Sequence, residues 1–444
     1  MAEIETFLAD VKQFMPSLTI TSDPDALSDY TIDGILPRLV VTPDNKEQVA
    51  QVTALVSQHG LTLLARGGGS RMSLGGIPEQ VDVVLETQHM TRLLEHEAPD
   101  LTCYVEAGIT FAALQAQLAT KGQRVALDPP DAEQATLGGI LASNASGPKR
   151  LRYGTARDIV IGLHVVQSSG EIARSGGRVV KNVAGYDLNK LYIGSLGTLG
   201  IIVEANLKLQ PLPSDERTLL LTFASAHEAT QTVIALLGSL LTPSAVELID
   251  AGAASDMSDF FGLNLPTEGY TLAVNFEGTS SSIDRSIDET RLIARKAGAL
   301  MGEDLAGKEQ AQFWQAVREH TRGTVTCKVA ILVSQIAPYL ETISRVCRAH
   351  RLEAAVIGHA GNGILYVELR PGDATPRLVE AIAELRRHAQ DAHGSLVVER
   401  CPVDLKRSIN VWGEPGSDFY LMQRLKQQFD ARGTFVKGRF VGGL

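Results

Sequence analysis

The sequence predicts an α+β protein in two parts. Three observations predict it: helix and strand patterns alternate up to Leu209, a proline pair at Pro211 and Pro213 interrupts them, and a second alternation follows. In the first part Leu39-Val-Val41 is an apolar strand, and after the turn at Pro43-Asp44 residues 45–56 place Val49, Val52 and Val56 on one helical stripe. An apolar strand at 61–66 ends in Gly67-Gly-Gly69, and another strand follows at 81–85, so the glycine loop joins strand to strand. The strand 101–107 leads through Gly108 into a helix over 110–119 with Thr110 as its N-cap. Residues 152–158 read as a polar turn, 159–167 as a β-branched strand, and 201–209 as an alternating strand running toward the prolines. In the second part 218–223 and 271–276 read as strands and 226–237 and 283–297 as helices, the pattern of an antiparallel sheet covered by helices.

Composition narrows the function. With 444 residues, 44% hydrophobic and 21% charged, the chain can bury more than one core. A formal charge of -10 disfavours a general grip on nucleic acid or anionic membrane. The start, Met1-Ala-Glu-Ile-Glu5, has no basic stretch ahead of an apolar core, and no apolar run reaches membrane-spanning length, so the cytoplasm is the expected compartment. Cys103, Cys327, Cys347 and Cys401 are far apart and never form C-x-x-C. That spacing argues against a zinc ribbon or an iron–sulfur cluster on this chain and for reduced, buried thiols.

Chemistry concentrates in three glycine-bearing stretches. In Arg66-Gly-Gly-Gly-Ser70, glycines bring bare main-chain N–H groups to one loop, and Arg66 adds a fixed charge, a combination suited to phosphate. The same glycines also suit an ordinary surface loop. A G-x-G-x-x-G fingerprint fails because the sixth position is Met72, and a P-loop fails because no Gly-Lys-Ser/Thr follows. The second stretch, Asp128-Pro-Pro130 onward to Thr136-Leu-Gly-Gly139, starts a helix of little side-chain bulk, open either to a flat ring or pyrophosphate or to close helix packing. The third runs from Gly176 through Asp187 to Gly194-Ser-Leu-Gly-Thr-Leu-Gly200.

In this order the stretches resemble the FAD-binding domain of the vanillyl-alcohol oxidase/p-cresol methylhydroxylase (PCMH-type) family. The resemblance is carried by Arg66-Gly-Gly-Gly-Ser70, Thr136-Leu-Gly-Gly139, Ser143-Asn144, Gly147, Arg152-Tyr-Gly154, Lys181-Asn-Val-Ala-Gly-Tyr-Asp187 and Gly194 to Gly200. It implies FAD held by Arg66, Gly67, Gly68, Gly69, Ser70, Pro129, Thr136, Leu137, Gly138, Gly139, Ser143, Asn144, Gly147, Gly185, Gly197 and Ile202. No His or Cys stands beside these motifs, so the implied FAD is non-covalent. The implied organisation is an N-terminal segment (1–35), a two-subdomain FAD-binding domain (36–213, divided near 105), a cap domain with an antiparallel sheet (214–400), and a C-terminal segment (401–444) returning to the FAD domain. The tail ending Val436-Lys-Gly-Arg439 is similar to the Asn-Pro-Gly-Arg type of the 2-hydroxy-acid dehydrogenase branch. Within that branch Ser195-Leu-Gly197 is most similar to the flavin-binding E-type subunit of bacterial glycolate oxidase. Such subunits work beside a catalytic flavoprotein and an iron–sulfur subunit, which implies attachment at the inner membrane only through partners.

Oxidising a 2-hydroxy acid needs a cation for the carboxylate and a group to take the hydroxyl proton. The resemblance places Arg318 and Lys328 as carboxylate cations, although either type of residue also serves on a solvated face. The branch's metal-and-base pattern, Gly-His-Ala-Gly-Asp-Gly-Asn-Leu-His followed by Glu-His, corresponds here to Gly358-His-Ala-Gly-Asn-Gly-Ile-Leu-Tyr366 and Glu399-Arg400. His359 and Glu399 are present, Ile364 replaces a polar contact, Tyr366 replaces the second histidine, and Arg400 replaces the base. Two ligands make a poor divalent-metal site and an arginine cannot act as a base, so no metal is expected there, and Tyr366 and Arg400 suit an anion instead. His359 is open to a structural or a functional role. Two roles therefore stand for the chain, a redox component of a glycolate oxidase-like complex or a non-catalytic FAD-binding scaffold. A standalone oxidase of another alcohol is the third.

Overall fold

The computed structural model describes residues 2–177, 186–320, 323–370 and 375–444. They form two compact units, one made of 1–146, 155–212 and 414–444, the other of 147–154 and 213–413.

The first unit holds two sheets. In one, the strands run in the order Thr19–Thr21, Leu39–Thr42, Val83–Glu86, Leu63–Arg66, with the last three parallel. The helix Lys46–Gln58 crosses over between two of these strands, capped by Asn45, whose side chain accepts from Gln48 N–H. Its stripe of Val49, Val52 and Val56 is fully buried, each side chain contributing roughly 1.5–3 kcal/mol before chain entropy is set against it. The other sheet is antiparallel, in the order Leu93–Glu97, Thr102–Glu106, Ile201–Lys208, Val160–Val166, Ile172–Gly176. The helix Phe111–Ala119, capped by Thr110, packs Phe111, Leu114 and Leu118 into this sheet's core.

Residues 152–158, expected as a turn, instead carry the end of the helix Arg150–Tyr153 and the start of the helix Ala156–Ile159. The reason is local: Asp158 accepts from Thr155 N–H at 2.8 Å in a capping box, which nucleates a turn of helix that periodicity alone does not reveal. All four cysteines are free and buried.

Inside the second sheet Glu204 lies among Tyr104, His164 and Lys46, with Lys46 Nζ at 2.9 Å and the other two in direct hydrogen bonds. Burial pushes its pKa up, but these three partners outweigh burial and hold the carboxyl at about 2. The linked stability is complete above the ordinary value of 4.5 and is lost as pH falls from there toward 2. Glu204→Gln is expected to cost about 3 kcal/mol near neutrality and to flatten the acid limb of stability against pH, as read by urea unfolding.

The second unit is one antiparallel eight-stranded sheet, running Met301–Ala306, Asp215–Phe223, Tyr270–Gly278, Ala245–Asp250, Glu353–His359, Ile364–Arg370, Val325–Ala330, Ser395–Arg400. On one face lie the helices Ala226–Leu237, Ser280–Lys296, Ile336–His350 and Thr375–Asp391. The helices Ala251–Phe261 and Gly307–Glu319 cover part of the other face, packing Met257, Phe313 and Trp314 against Ala273, Ala355 and Ile357. Residues 147–154 join this unit because Lys149 Nζ reaches Glu277 at 2.6 Å and Glu216 at 2.8 Å while Arg152 donates to the Glu277 carbonyl. The unit runs on to Gly413 because Val398 N–H and the Arg386 guanidinium both donate to the Val411 carbonyl.

Candidate functional site

In the first unit the loop after Leu63–Arg66 and the helix Leu137–Ser143 border a cleft. Gly67, Gly68, Gly69, Ser70, Thr136, Gly139 and Ser143 line it. Among the described residues no protein group accepts from the main-chain N–H of Gly67, Gly68, Gly69 or Ser70. The glycines are there because space and conformation demand them: a Cβ on Gly67 would lie 2.0 Å from Thr136 Oγ1, one on Gly68 1.7 Å from the Gln134 carbonyl oxygen, and Gly69 has φ +79°.

Arg66 is otherwise engaged. Its Nη1 meets Glu86 at 2.9 Å and its guanidinium lies 4.4 Å from the centre of the Tyr30 ring, so its charge is already countered. The first-turn donors of Leu137–Ser143 are also taken, Leu137 N–H by the Ile109 carbonyl, Gly138 N–H by Ala107 and Gly139 N–H by the Thr136 side chain. What this helix presents to the cleft is its small-residue flank, Gly139, Ala142 and Ser143, rather than its N-terminus. The Ser143 hydroxyl donates back to the Gly139 carbonyl at 2.7 Å. Asn144, left-handed at φ 50°, caps the helix with its Oδ1 sealed from solvent and unpartnered.

The other residues expected around this cofactor fall nearby or elsewhere. Leu137 and Ile202 are buried in the core beneath, and Pro129 is buried beside Pro130, which lines the cleft. Gly197 follows Leu196, whose N–H donates to the Ala142 carbonyl at 2.9 Å, so the loop from Gly194 packs on the helix and Leu196 is its residue in the cleft. Gly147 belongs to the second unit, and Gly185 lies outside the described residues. The sequence reading missed Arg439 as a lining residue. The tail returns to this unit, pairing Phe435 with Leu63, and the buried Arg439 donates to the Met72 carbonyl at 2.7 Å. Its signal was the Gly438-Arg439 ending.

In the second unit the sheet register gathers most of the remaining candidates. Lys328 stands opposite Tyr366, Ile357 opposite Tyr366 on the other side, and Glu247 opposite His359. His359 Nδ1–H donates to the fully buried Glu247 carboxylate at 2.8 and 2.9 Å, which leaves Nε2 with its lone pair. The His359 and Tyr366 rings meet edge to face at 5.3 Å, Lys328 Nζ lies 5.6 Å from the Tyr366 ring centre, and Lys328 pairs with Glu399 at 3.2 Å. Burial, with the charges of Arg150 and Lys328, pushes the His359 pKa down to about 3. Arg400 stands opposite Thr326 on the neighbouring strand. Arg318, in the last turn of Gly307–Glu319, is half-buried, and among the described residues no hydrogen bond or ion pair ties it to this group. Glu247 was missed; a single carboxylate inside the otherwise apolar run Ala245-Val-Glu-Leu-Ile249, buried on both faces, was its signal.

A family model described as an FAD binding domain matches residues 37–176, and one described as FAD linked oxidases, C-terminal domain, matches 212–438, more than half of the chain. The chain belongs to the FAD-linked oxidases. Among curated relatives of this oxidase, the glycolate oxidase subunit GlcD of Bacillus subtilis is 28% identical over 417 residues, covering 91% of this chain and 89% of that one. The D-lactate dehydrogenase of Archaeoglobus fulgidus is 30% identical over 337 residues, 73% of each. The solved structure of p-cresol methylhydroxylase with substrate bound superposes with a TM-score of 0.78 at 16% identity, over 99% of this chain and 97% of that one, which shows the PCMH-type fold. The oxidase is therefore an FAD-dependent oxidoreductase of the glycolate oxidase/D-lactate dehydrogenase family. The cleft suits the cofactor: four adjacent unpartnered amides fit a diphosphate, and the loop's glycines keep side chains out of its way. Among the described residues no helix is long and apolar enough to cross a membrane.

Proposed function

We propose that this oxidase acts on glycolate or a related 2-hydroxy acid, with non-covalent FAD, as a flavin-binding subunit of a glycolate oxidase-like complex. The observation that carries the reading is the buried Glu247–His359 pair beside Tyr366 and Lys328, a neutral imidazole with cations at hand. The amides of Gly67 to Ser70 would hold the diphosphate and the flank of Leu137–Ser143 would border it; Arg66 acts through Glu86 and Tyr30 to shape the loop. When bound, FAD supplies the two-electron acceptor for the substrate α-carbon. Lys328, shared with Glu399, and Arg400 on the neighbouring strand attract the substrate carboxylate, and Tyr366 offers a hydroxyl donor beside them. His359 Nε2 accepts the hydrogen bond of the substrate hydroxyl, its tautomer held by Glu247. Electrons then pass to partner subunits, a catalytic flavoprotein and an iron–sulfur protein, and partners also supply any attachment of this cytoplasmic chain to the inner membrane. The GlcD relative, named as a glycolate oxidase subunit, supports this setting.

The test is anaerobic titration of the purified chain with glycolate and with D-lactate. Bleaching of bound flavin is the expected result, and protein without affinity for FAD overturns the reading. Bound flavin that neither acid bleaches supports a scaffold instead, which the tyrosine at 366 and the arginine at 400 favour, since each stands where this branch has a histidine. Lys328→Met is expected to raise KM for the hydroxy acid by about tenfold or more with FAD content unchanged, as steady-state kinetics would show.

A further inference from the structure

Three further side chains from three elements converge in the second unit: Asp256 of Ala251–Phe261, His320 just past Gly307–Glu319, and Glu368, two residues beyond Tyr366 on Ile364–Arg370. All three are buried, and one donor atom from each lies within 4.8 Å of the other two. His320 Nε2 is 3.1 Å from Asp256 Oδ2, close to the roughly 3.3 Å edge of a tetrahedron built on 2.0–2.1 Å bonds. His320 is 7% exposed, so its ring is held inside the unit. The Glu368 carboxylate is already oriented, because Gly323 N–H donates to its Oε1 at 2.8 Å, the kind of outer hydrogen bond that fixes a metal ligand.

We propose that Asp256, His320 and Glu368 form a divalent-metal site, selective for Zn²⁺ or a metal of similar preference, that ties the two helices to the sheet. One nitrogen and two carboxylate oxygens match zinc's donor set, and a water completes four-coordination. Arg370 is the competing cation, its guanidinium bonded to Asp256; its side chain is 41% exposed, so it can swing into solvent when a metal takes its place. The site does not depend on the redox reading, because none of its ligands belongs to the His359 group.

The experiment adds Co²⁺, then Zn²⁺, to the full FAD-containing chain after chelator treatment and reads d–d absorption to the red of the flavin bands, bound metal and thermal unfolding. Expected are about one equivalent of tightly bound Co²⁺ with tetrahedral bands, its displacement by Zn²⁺, and a rise of several degrees in Tm. Asp256→Asn, His320→Gln and Glu368→Gln are each expected to weaken binding by at least the roughly 100-fold that even outer-shell changes can cost. Arg370→Ala, which removes the competing cation, is expected to tighten it. Flavin content and circular dichroism identify the variants that fold. Absence of binding by the parent chain, wild-type binding in a folded Glu368→Gln or His320→Gln variant, or loss of binding in His359→Gln instead would each overturn the proposal.

Discussion

Gly68→Ala is expected to strip the flavin from this oxidase. The added Cβ would sit 1.7 Å from the Gln134 carbonyl oxygen, and no side-chain rotation relieves this, because the oxygen is backbone and the Cβ position is fixed by the Gly68 backbone. Overpacking of this kind costs about 1–3 kcal/mol, and the loop must move to relieve it. That displacement disperses the four adjacent amides, so FAD affinity is expected to fall about 10- to 100-fold. Flavin absorbance per chain after gel filtration reads the loss. Gly139→Ala is the control: its Cβ meets nothing nearer than Thr136 Oγ1 at 3.3 Å, so any loss there measures how closely the cofactor passes the helix flank rather than a broken loop. Full retention of FAD by Gly68→Ala would show that the loop is not its anchor.

His359→Gln is expected to lower kcat by about 10²-fold or more with FAD content and KM little changed, because the hydroxyl of the substrate loses its acceptor. Glu247→Gln is expected to lower kcat by about 10- to 100-fold through His359 alone, since an amide can present its NH₂ to Nδ1 and release the tautomer. The acid behaviour separates these effects from damage to the fold. His359 takes up a proton at about 3 in the folded chain, against an ordinary 6.5. The unfolded chain therefore binds a proton that the native one refuses, and the linked stability, full above 6.5, declines as pH falls from there toward 3. Over the same interval the imidazole keeps its lone pair, so no inflection of kcat/KM near 6.5 is expected from it. Thermal unfolding against pH should lose part of its acid slope in His359→Gln; an unaltered slope would mean that the residue is not buried as a neutral base.

Much of the first unit was legible because its cues are local. Thr110 caps the helix that follows, as its sequence predicts, and the Val49, Val52, Val56 stripe and the apolar strands carry their own periodicity. Local reading failed where a short-range side chain competed with pattern, as at Thr155 and Asp158, and where partners come from far along the chain. Glu247 and His359 are 112 residues apart, and Arg439 and Met72 are 367 apart. Nothing near either residue announces the other. The role suggested for Arg66 also changed for that reason, since Glu86 and Tyr30 reach its guanidinium from separate strands and turns.

By itself the sequence determined where backbone must be bare, where helices begin and which faces are apolar, since these follow from steric freedom, capping and period over a few residues. The resemblance of its glycine stretches to the PCMH-type family implied FAD, and the match to an FAD binding domain shows it. Only the tertiary structure decided which charges are already answered, which amides remain open and which histidine has a buried carboxylate behind it. Sheet register and chain return set those pairings, and both depend on the packing of the whole core rather than on neighbours in sequence.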